Sequence, residues 1–466
     1  MPARAVAVPL ALLLLSVSSA WAQVGFLFNR TGSGARAAGM ANAFIAVSDD
    51  GTAASWNPAG LGQLRKPELS VVSTTVGRTY RAEGFRTRDD AAVFSPMRTS
   101  YQSTDLDFVS LAVPLTFWGK PVTFQGAWRR LYTLDFREVV STTRQPLVVG
   151  GPPPLRFDAN SDLLGAVDLI SLAGAVKLTS RLALGGSFNF WRGDWTSAND
   201  FSETLLQGSP SPPRFQSWRE TDRARGESFS LGMLLTYPRW SVGLLYQDPL
   251  RSDFTQSLAM TQSVAPVALP VSQTGAVLAR TLEGSVRFPR ALGVGAAWRP
   301  AQGWTLALDL TWDDWSDATL DSPLTGRVNF FDELPEERTS TRDTTSVNAG
   351  AERLFSREGF VVPLRFGVGF EPQGPRSPYT RDPVDFVMLA VGTGYNTNSL
   401  KLDAAFQFRW AHVQDGGNFG LEPWQTLLPP AVGERGVKEW RLKLSLILRA
   451  TDTEKLRRTV RKVFGG

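Results

Sequence analysis

Apolar and polar residues alternate over several long stretches of this 466-residue chain. Between Trp304 and Trp312 every even position is Trp or Leu, whereas the odd positions carry Thr, Ala and Asp. A similar pattern runs from Leu400 to Trp410 and from Trp440 to Leu448. Because successive side chains of a β-strand point to opposite faces, this period of two predicts strands that have one apolar face.

The length of these segments and the aromatic residues at their ends indicate strands that cross a membrane. A tilted transmembrane strand needs about nine to eleven residues, and aromatic girdles mark the two membrane interfaces. An open sheet would leave unpaired backbone groups in hydrocarbon, so such strands must close into a barrel. Single-chain bacterial barrels have an even number of strands. We therefore expect an all-β fold, a transmembrane antiparallel β-barrel of about 14 strands, between residues 67 and 450.

Polar stretches rich in Pro and Gly separate the predicted strands and differ greatly in length. Two short interruptions are Thr179-Ser180 and Phe288-Pro289-Arg290, and both are expected on the periplasmic side, where such barrels have short turns. A soluble all-β propeller is the alternative fold, but no repeat of about 40 to 50 residues with a shared signature is visible. We predict long loops at residues 146–160, 197–219, 323–342 and 415–435.

The composition excludes several kinds of site. The chain has no Cys and a single His, which excludes a disulfide scaffold, a thiolate metal site and a Cys–His nucleophile; no metal or cofactor is expected. A Ser-His-Asp hydrolase would require His412. That residue follows the polar end of a predicted strand, which favours a solvated position, so we predict no catalytic residues. Basic and acidic residues are interspersed, which argues against nucleic-acid binding.

The two ends of the chain differ from the predicted barrel. Residues 1–22 have the features of a secretory signal peptide: Arg4, an apolar stretch from residue 6 to 15, and a small-x-small cleavage site at Ala20-Trp21-Ala22. Residues 451–466 resemble a basic amphipathic helix. This tail has three possible roles that the sequence leaves open: contact with anionic headgroups, with a periplasmic or secretion partner, or with the barrel mouth.

Residues 23–66 do not alternate and are dominated by small residues. An Asn57-Pro58-Ala59-Gly60 turn stands near the end of this segment. A barrel of about fourteen strands encloses more space than its own side chains fill, and an empty one would leak solutes. We therefore expect this segment to be a mostly helical hatch that plugs the lumen.

Three stretches resemble the FadL/TodX family of outer-membrane transporters for hydrophobic compounds. They run from Gly34 to Gly60, from Phe288 to Ser316, and from Val347 through Phe366 to Ala405. The resemblance implies a bacterial outer-membrane location and the passive uptake of long-chain fatty acids or aromatic hydrocarbons, with passage from outside into the lumen and then laterally into the membrane. The hatch also resembles that of barrel relatives that serve secretion, so a secretion or assembly partner is the alternative function. The residues that match the family's hatch, and to which the resemblance assigns gating, are Gly34, Arg36, Asn57, Pro58 and Gly60.

Charged residues at the polar positions of the alternating strands should face the lumen. Such residues are Asp309, Arg365, Lys401, Asp403 and Arg409. They either form a charge lattice that holds the plug to the wall, or bind a ligand, with Arg365 or Lys401 attracting its carboxylate. We expect a monomer whose partners are outer-membrane lipid and a hydrophobic small molecule.

Overall fold

The computed structural model describes residues 32–87, 90–117, 119–149, 153–207, 214–263, 274–323, 326–331, 334–377, 380–417 and 431–450. The predicted signal peptide and the basic tail lie outside these residues, as does the beginning of the predicted hatch.

The described residues form one antiparallel sheet and a few short helices. The strands are β1 (Glu68–Thr87), β2 (Ala92–Phe94), β3 (Met97–Phe117), β4 (Lys120–Thr133), β5 (Phe136–Pro146), β6 (Leu155–Lys177), β7 (Leu182–Leu205), β8 (Arg214–Thr236), β9 (Trp240–Gln247), β10 (Arg251–Ser263), β11 (Thr274–Arg287), β12 (Ala291–Trp298), β13 (Trp304–Asp313), β14 (Thr319–Ser322), β15 (Gly326–Asn329), β16 (Thr344–Arg357), β17 (Phe360–Arg376), β18 (Pro383–Asn396), β19 (Leu400–Gly417) and β20 (Ala431–Arg449). The helices are α1 (Ala35–Gly39) and the 3-10 helices Ala53–Ser55, Pro58–Gln63, Trp315–Asp317 and Glu336–Arg338.

The sheet closes on itself because the first and last strands pair. Strand β1 is antiparallel to β20 from the pair Glu68↔Arg449 to the pair Thr87↔Ala431, and its other edge pairs with β3. From there the pairings run through β4, β6, β7, β8, β9, β12, β13, β16, β17, β18 and β19 back to β20. The chain is therefore an all-β antiparallel barrel, as the alternation predicted.

The two ends of the barrel differ. At the terminal end, where β1 begins and β20 ends, short turns connect the strands. At the opposite end, β6, β7 and β8 continue for 23, 24 and 23 residues, far more than a bilayer requires. Strands β2, β5, β10, β11, β14 and β15 pair with one another or with these long strands there.

Two predictions about the connections are wrong. Much of the predicted loop 197–219 is strand, since β7 and β8 pair from Leu182↔Leu235 to Glu203↔Arg214. The Phe288-Pro289-Arg290 break is not a turn at the periplasmic side. It separates β11 from β12, which run in the same direction. The break lies beside the one between β9 and β10, because β11 pairs with β10 and β12 pairs with β9. Proline lacks a backbone N–H, so it interrupts the ladder here without reversing the chain.

Successive side chains of each wall strand lie on opposite faces of the wall. Along β12, buried and exposed residues alternate without exception. Leu306, Leu308 and Leu310 of β13 are exposed on the outer face, whereas Asp309 between them is buried inside. Such an apolar exterior is the lipid-facing surface of a membrane barrel. None of the helices in the described part of the chain is long and apolar enough to span a bilayer.

The segment before β1 lies inside the barrel, where nearly all of its described residues are buried. It contains less helix than expected: one five-residue helix and two 3-10 helices, joined by turns. Ala41 and Asn42 have φ angles of 50° and 70°, which end α1, because L-residues in the left-handed region cannot continue a right-handed helix. We call residues 32–66 the plug.

Candidate functional site: the plugged lumen

The plug lies directly on the backbone of the wall, because glycines stand where wall side chains would otherwise fill the space. A Cβ atom at Gly350 or Gly367 would lie 2.6 Å from the Cβ of Met40 or of Ala41, well inside van der Waals contact. Gly392 faces Gly39 in the same way. Other wall glycines that contact the plug are Gly185, Gly232, Gly243, Gly293 and Gly295.

A buried ion-pair chain joins the plug to strands β16, β17 and β19. Arg36 donates to Glu352 through Nε (3.0 Å to Oε2) and Nη2 (2.8 Å to Oε1). Arg365 donates through Nε to the same Glu352 (2.7 Å) and through Nη1 to Asp403 (2.7 Å). Glu352, Arg365 and Asp403 are almost fully enclosed. The structure thus unites Arg36, Arg365 and Asp403, three of the residues singled out from the sequence, in one network in which both guanidinium groups are ion-paired.

A second acidic pair lies on the plug beside Arg36. Asp49 accepts a hydrogen bond from Arg36, and Asp50 lies 3.9 Å from the same guanidinium. Burial alone would raise the pKa of Asp50, but the positive charges of Lys401 and Arg36, together with hydrogen bonds from Thr52, bring it below its usual value. Lys401, another of the predicted lumen residues, is buried in β19 and acts on this carboxylate.

Asn57 fixes the turn that was predicted at the end of the plug. Its Oδ1 accepts a hydrogen bond from the Ala59 backbone N–H (3.1 Å), which caps the 3-10 helix whose first residue is Pro58. Its Nδ2 donates to the carbonyl of Ile45 (3.0 Å) within the plug and to that of Met233 (3.1 Å) in the wall. One buried amide therefore joins two parts of the plug to strand β8.

The two predicted hatch glycines have conformational and packing roles. Gly34 precedes α1 with φ 113°, a conformation that L side chains rarely adopt. A Cβ at Gly60 would lie 2.9 Å from the Cβ of Ser48, and closer still to the carbonyl oxygen of that residue. Both positions fix the path of the chain within the plug.

Three further wall side chains bind the plug backbone, and of these only Asp309 was singled out from the sequence. Asp309 Oδ2 accepts hydrogen bonds from the N–H groups of Phe44 (2.6 Å) and Ile45 (2.7 Å). Gln407 donates to the carbonyl of Ala38 (3.0 Å), and Ser445 accepts from the N–H of Ala35 (2.6 Å). In the sequence, the position of these residues in the alternation indicates that they face the lumen, but it does not indicate which of them contact the plug.

A further charge network lies in the wall near the plug. Glu439 of β20 accepts hydrogen bonds from Arg78 (2.6 Å), Arg409 (2.6 Å) and Arg441 (2.6 Å). Arg409 also donates to Glu371 (3.1 Å), whose other oxygen accepts a hydrogen bond from Asn42 of the plug (3.3 Å). The plug is thereby connected to strands on the β1–β20 side as well.

On the side of the plug away from the terminal end, one part of the lumen contains two clusters of apolar residues. One cluster contains Trp191, Leu169 and Leu250, and it shares Leu131 and Phe288 with a larger aromatic cluster at the barrel mouth. A small cavity of about 30 Å³ lies between Leu169, Trp191 and the plug, and most of the other side chains that line it are polar. The buried members of the larger cluster are Tyr132, Leu134, Leu163, Phe254, Val286, Trp315, Ala318, Phe330 and Phe331. We call the two clusters together the apolar column.

Features that would support covalent or metal chemistry are weak. His412 is exposed on β19, and its Nε2 lies 3.6 Å from Glu434, which is also exposed. In the described residues, no group of three or more His, Asp or Glu side chains is arranged to hold a metal ion. The predicted role of His412 as a solvated residue fits this position.

Comparisons with known proteins agree with this architecture. Residues 13–415 match the family described as "Outer membrane protein transport protein (OMPP1/FadL/TodX)". No curated protein matches the chain at a significant level.

Several solved structures share the fold. A FadL homologue of Pseudomonas aeruginosa aligns at 13% identity with a TM-score of 0.60, over 91% of this chain and 99% of that one. The toluene transporter TodX of P. putida aligns at 14% identity with a TM-score of 0.56, and the toluene transporter TbuX of Ralstonia pickettii at 15% with 0.54. Both alignments cover 91% of this chain and 100% of the transporter.

Proposed function

This chain belongs to the OMPP1/FadL/TodX family of outer membrane transport proteins, and we propose that it is a channel for the passive uptake of hydrophobic compounds. The family consists of transport channels of the bacterial outer membrane, so the location and the general class of function follow from membership. The ligand, the passive mechanism and the role of the plug are the parts that we propose.

The observation that carries the proposal is a closed barrel whose lumen holds a tightly anchored plug at its terminal end. We propose that the barrel wall has fourteen strands, because the circuit of pairings from β1 round to β20 passes through that number of strands in the described residues. The plug would comprise residues 23–66, and the turns at the terminal end would face the periplasm, as short turns do in such barrels. Polar solutes would thereby be excluded.

The apolar column supports a lipophilic cargo. It runs from the aromatic cluster at the extracellular mouth to Leu169 and Trp191, just above the plug. Burial of apolar surface stabilises a ligand by about 25 cal/mol per Å², so an alkyl chain or an aromatic ring gains most along this path. Arg365 is ion-paired with both Glu352 and Asp403, which favours a role of Arg365 and Asp403 in anchoring over a role in binding a ligand carboxylate.

The exit that best suits this arrangement is one in which the ligand passes through the barrel wall into the membrane. The plug occupies the lumen on the periplasmic side, and its removal would break several buried hydrogen bonds and ion pairs. A hydrophobic ligand is far more stable in the hydrocarbon outside the wall than in periplasmic water. We therefore propose lateral release, with small plug movements rather than plug ejection. Neither the fold nor the comparisons favour the alternative of a secretion or assembly partner.

Uptake by cells with and without the gene tests the proposal. Radiolabelled long-chain fatty acids and an aromatic hydrocarbon would be supplied in parallel, with a small sugar as a polar control. We expect faster uptake of at least one hydrophobic class in cells that have the gene, and no change for the sugar. Equal uptake of both hydrophobic classes in the two strains would contradict a transport function.

A further inference from the structure

The turns at the periplasmic end of the barrel are strongly basic. The six short connections span residues 117–120, 177–182, 236–240, 298–304, 357–360 and 396–400. Their only acidic residue is Glu358. Their basic residues, which we call the collar, are Lys120, Lys177, Arg181, Arg239, Arg299 and Arg357.

Most of the collar charges are not compensated within the described part of the chain. Arg299 is the exception, because it is partly buried and interacts electrostatically with Asp49 of the plug and with Glu352. None of the six forms an ion pair with an acidic group there, and Lys120, Arg181, Arg239 and Arg357 are exposed. The extracellular extension differs, because acidic residues are interspersed with the basic ones and several of its exposed arginines are ion-paired. Arg137 lies 2.7 Å from Asp162, Arg156 lies 2.9 Å from Asp158, and Arg192 lies 2.9 Å from Asp194. The surplus of positive charge is therefore a property of one end of the barrel.

The collar lies at the depth of lipid headgroups. Trp240, Trp298 and Trp304 stand at the same turns and are exposed on the outer face, as aromatic residues are at a membrane interface. Arg181 lies over the ring of Tyr237, with 4.6 Å from its guanidinium carbon to the ring centroid, and Tyr237 stacks on Trp240. This geometry places a guanidinium beside the interfacial aromatic belt, within reach of lipid phosphates.

We propose that the collar binds the headgroups of anionic phospholipids in the periplasmic leaflet. Its charges other than Arg299 occur in four of the six turns, so they are spread around the barrel instead of forming one patch. A protein partner would contact one side of this rim, whereas the leaflet contacts all of it. Basic side chains near an anionic leaflet are attracted at short range, and this attraction is screened by salt. The inference concerns lipid binding and does not depend on the identity of the transported ligand.

A lipid-retention measurement tests the collar directly. The full-length protein would be reconstituted in phosphatidylcholine bilayers that contain a minor fraction of phosphatidylglycerol, extracted in mild detergent, and analysed for retained lipid by mass spectrometry. We expect several-fold enrichment of phosphatidylglycerol over the bilayer composition, with less enrichment at high salt. The triple variant R181Q/R239Q/R357Q should retain lipid close to the bilayer composition.

A matched triple variant separates the collar from charge in general. R137Q/R156Q/R192Q removes the same number of exposed arginines from the extracellular extension and should keep the wild-type enrichment. Circular dichroism would verify that both variants are folded. Undiminished enrichment in the collar variant, or an equal loss in the matched variant, would overturn the proposal. So would a wild-type protein that shows no lipid preference but binds polyglutamate through the collar.

Discussion

Arg36 of the plug and Glu352 of β16 form a two-point ion pair, with distances of 3.0 Å from Nε to Oε2 and 2.8 Å from Nη2 to Oε1. The planar guanidinium matches the carboxylate in this arrangement, which fixes orientation as well as distance. Because Glu352 also accepts a hydrogen bond from Arg365, one wall carboxylate stands between the plug cation and a wall cation. Its removal would leave two buried positive charges facing each other.

Glu352→Gln should therefore loosen the plug. Breaking a buried pair by removing one partner costs about 3 to 5 kcal/mol, since the remaining charge is left without compensation. We expect the barrel to persist and the conductance for small ions in planar bilayers to rise above that of the wild type. Arg137→Gln, which removes an exposed ion pair with Asp162, is the matched control and should leave conductance unchanged. Identical conductance of Glu352→Gln and the wild type would show that this pair does not anchor the plug.

Gly367→Ala should displace the plug by steric overlap. The added Cβ would lie 2.6 Å from the Cβ of Ala41, and even closer to plug backbone atoms. Overpacking of this kind costs about 1 to 3 kcal/mol, and the plug can relieve it only by moving away from β17. Gly126→Ala is the control, because a Cβ there meets no atom within 4 Å. Protease sensitivity of the plug should increase in the first variant alone; equal sensitivity in both would argue against close plug–wall packing.

The barrel was predictable from sequence where the hydrocarbon imposes a pattern. Along β13, lipid on one face and the lumen on the other force apolar and polar residues to alternate, and this alternation appears in the printed sequence. Beyond the membrane the constraint disappears, and the Asp194–Glu203 region of β7 is mostly polar, with only Trp195 and Phe201 as large apolar residues. The sequence there resembles a loop, yet the strands pair continuously. Hydrogen bonds between the backbones of two strands do not require a particular pattern of side chains, so they are hard to predict from the sequence.

The sequence was sufficient to identify several residues of the plugged site, but not the residues to which they bind. The resemblance to the family's hatch singled out Arg36, but its partner Glu352 is 316 positions away, and no local periodicity relates the two. The alternation of polar and apolar residues predicted that Arg365 and Asp403 face the lumen, but it left open whether they bind the plug or a ligand. The turn at Asn57-Pro58 was foreseeable because capping is a local interaction, whereas the bond from Asn57 to the Met233 carbonyl depends on the closed barrel.

Acidification should loosen the plug through Asp50. The positive charges of Lys401 and Arg36 hold the pKa of Asp50 below its usual value of 3.8 despite burial. A lowered folded-state pKa means that the ionised carboxylate stabilises the structure above that usual value, and that this contribution is lost as the pH falls through the lowered one. We expect conductance to rise as the pH is taken below about 4. In Asp50→Asn the conductance should be higher at pH 7 and should change less on acidification. An unaltered pH profile in that variant would assign the effect to other carboxylates.

Leu169→Asn should reduce uptake of hydrophobic compounds without opening the plug. Leu169 is buried in the apolar column and lines the cavity above the plug, so an amide at this position replaces apolar contact with a polar group that a hydrocarbon ligand cannot satisfy. A loss of about 1 to 3 kcal/mol corresponds to an occupancy of this part of the path that is about five to 150 times weaker. Leu169→Met preserves volume and apolarity and should transport like the wild type. The two variants would be compared by uptake of the hydrophobic class that the wild type carries, and conductance measurements would verify that the plug is closed in both. Equal uptake by Leu169→Asn and Leu169→Met would place the ligand path outside the apolar column.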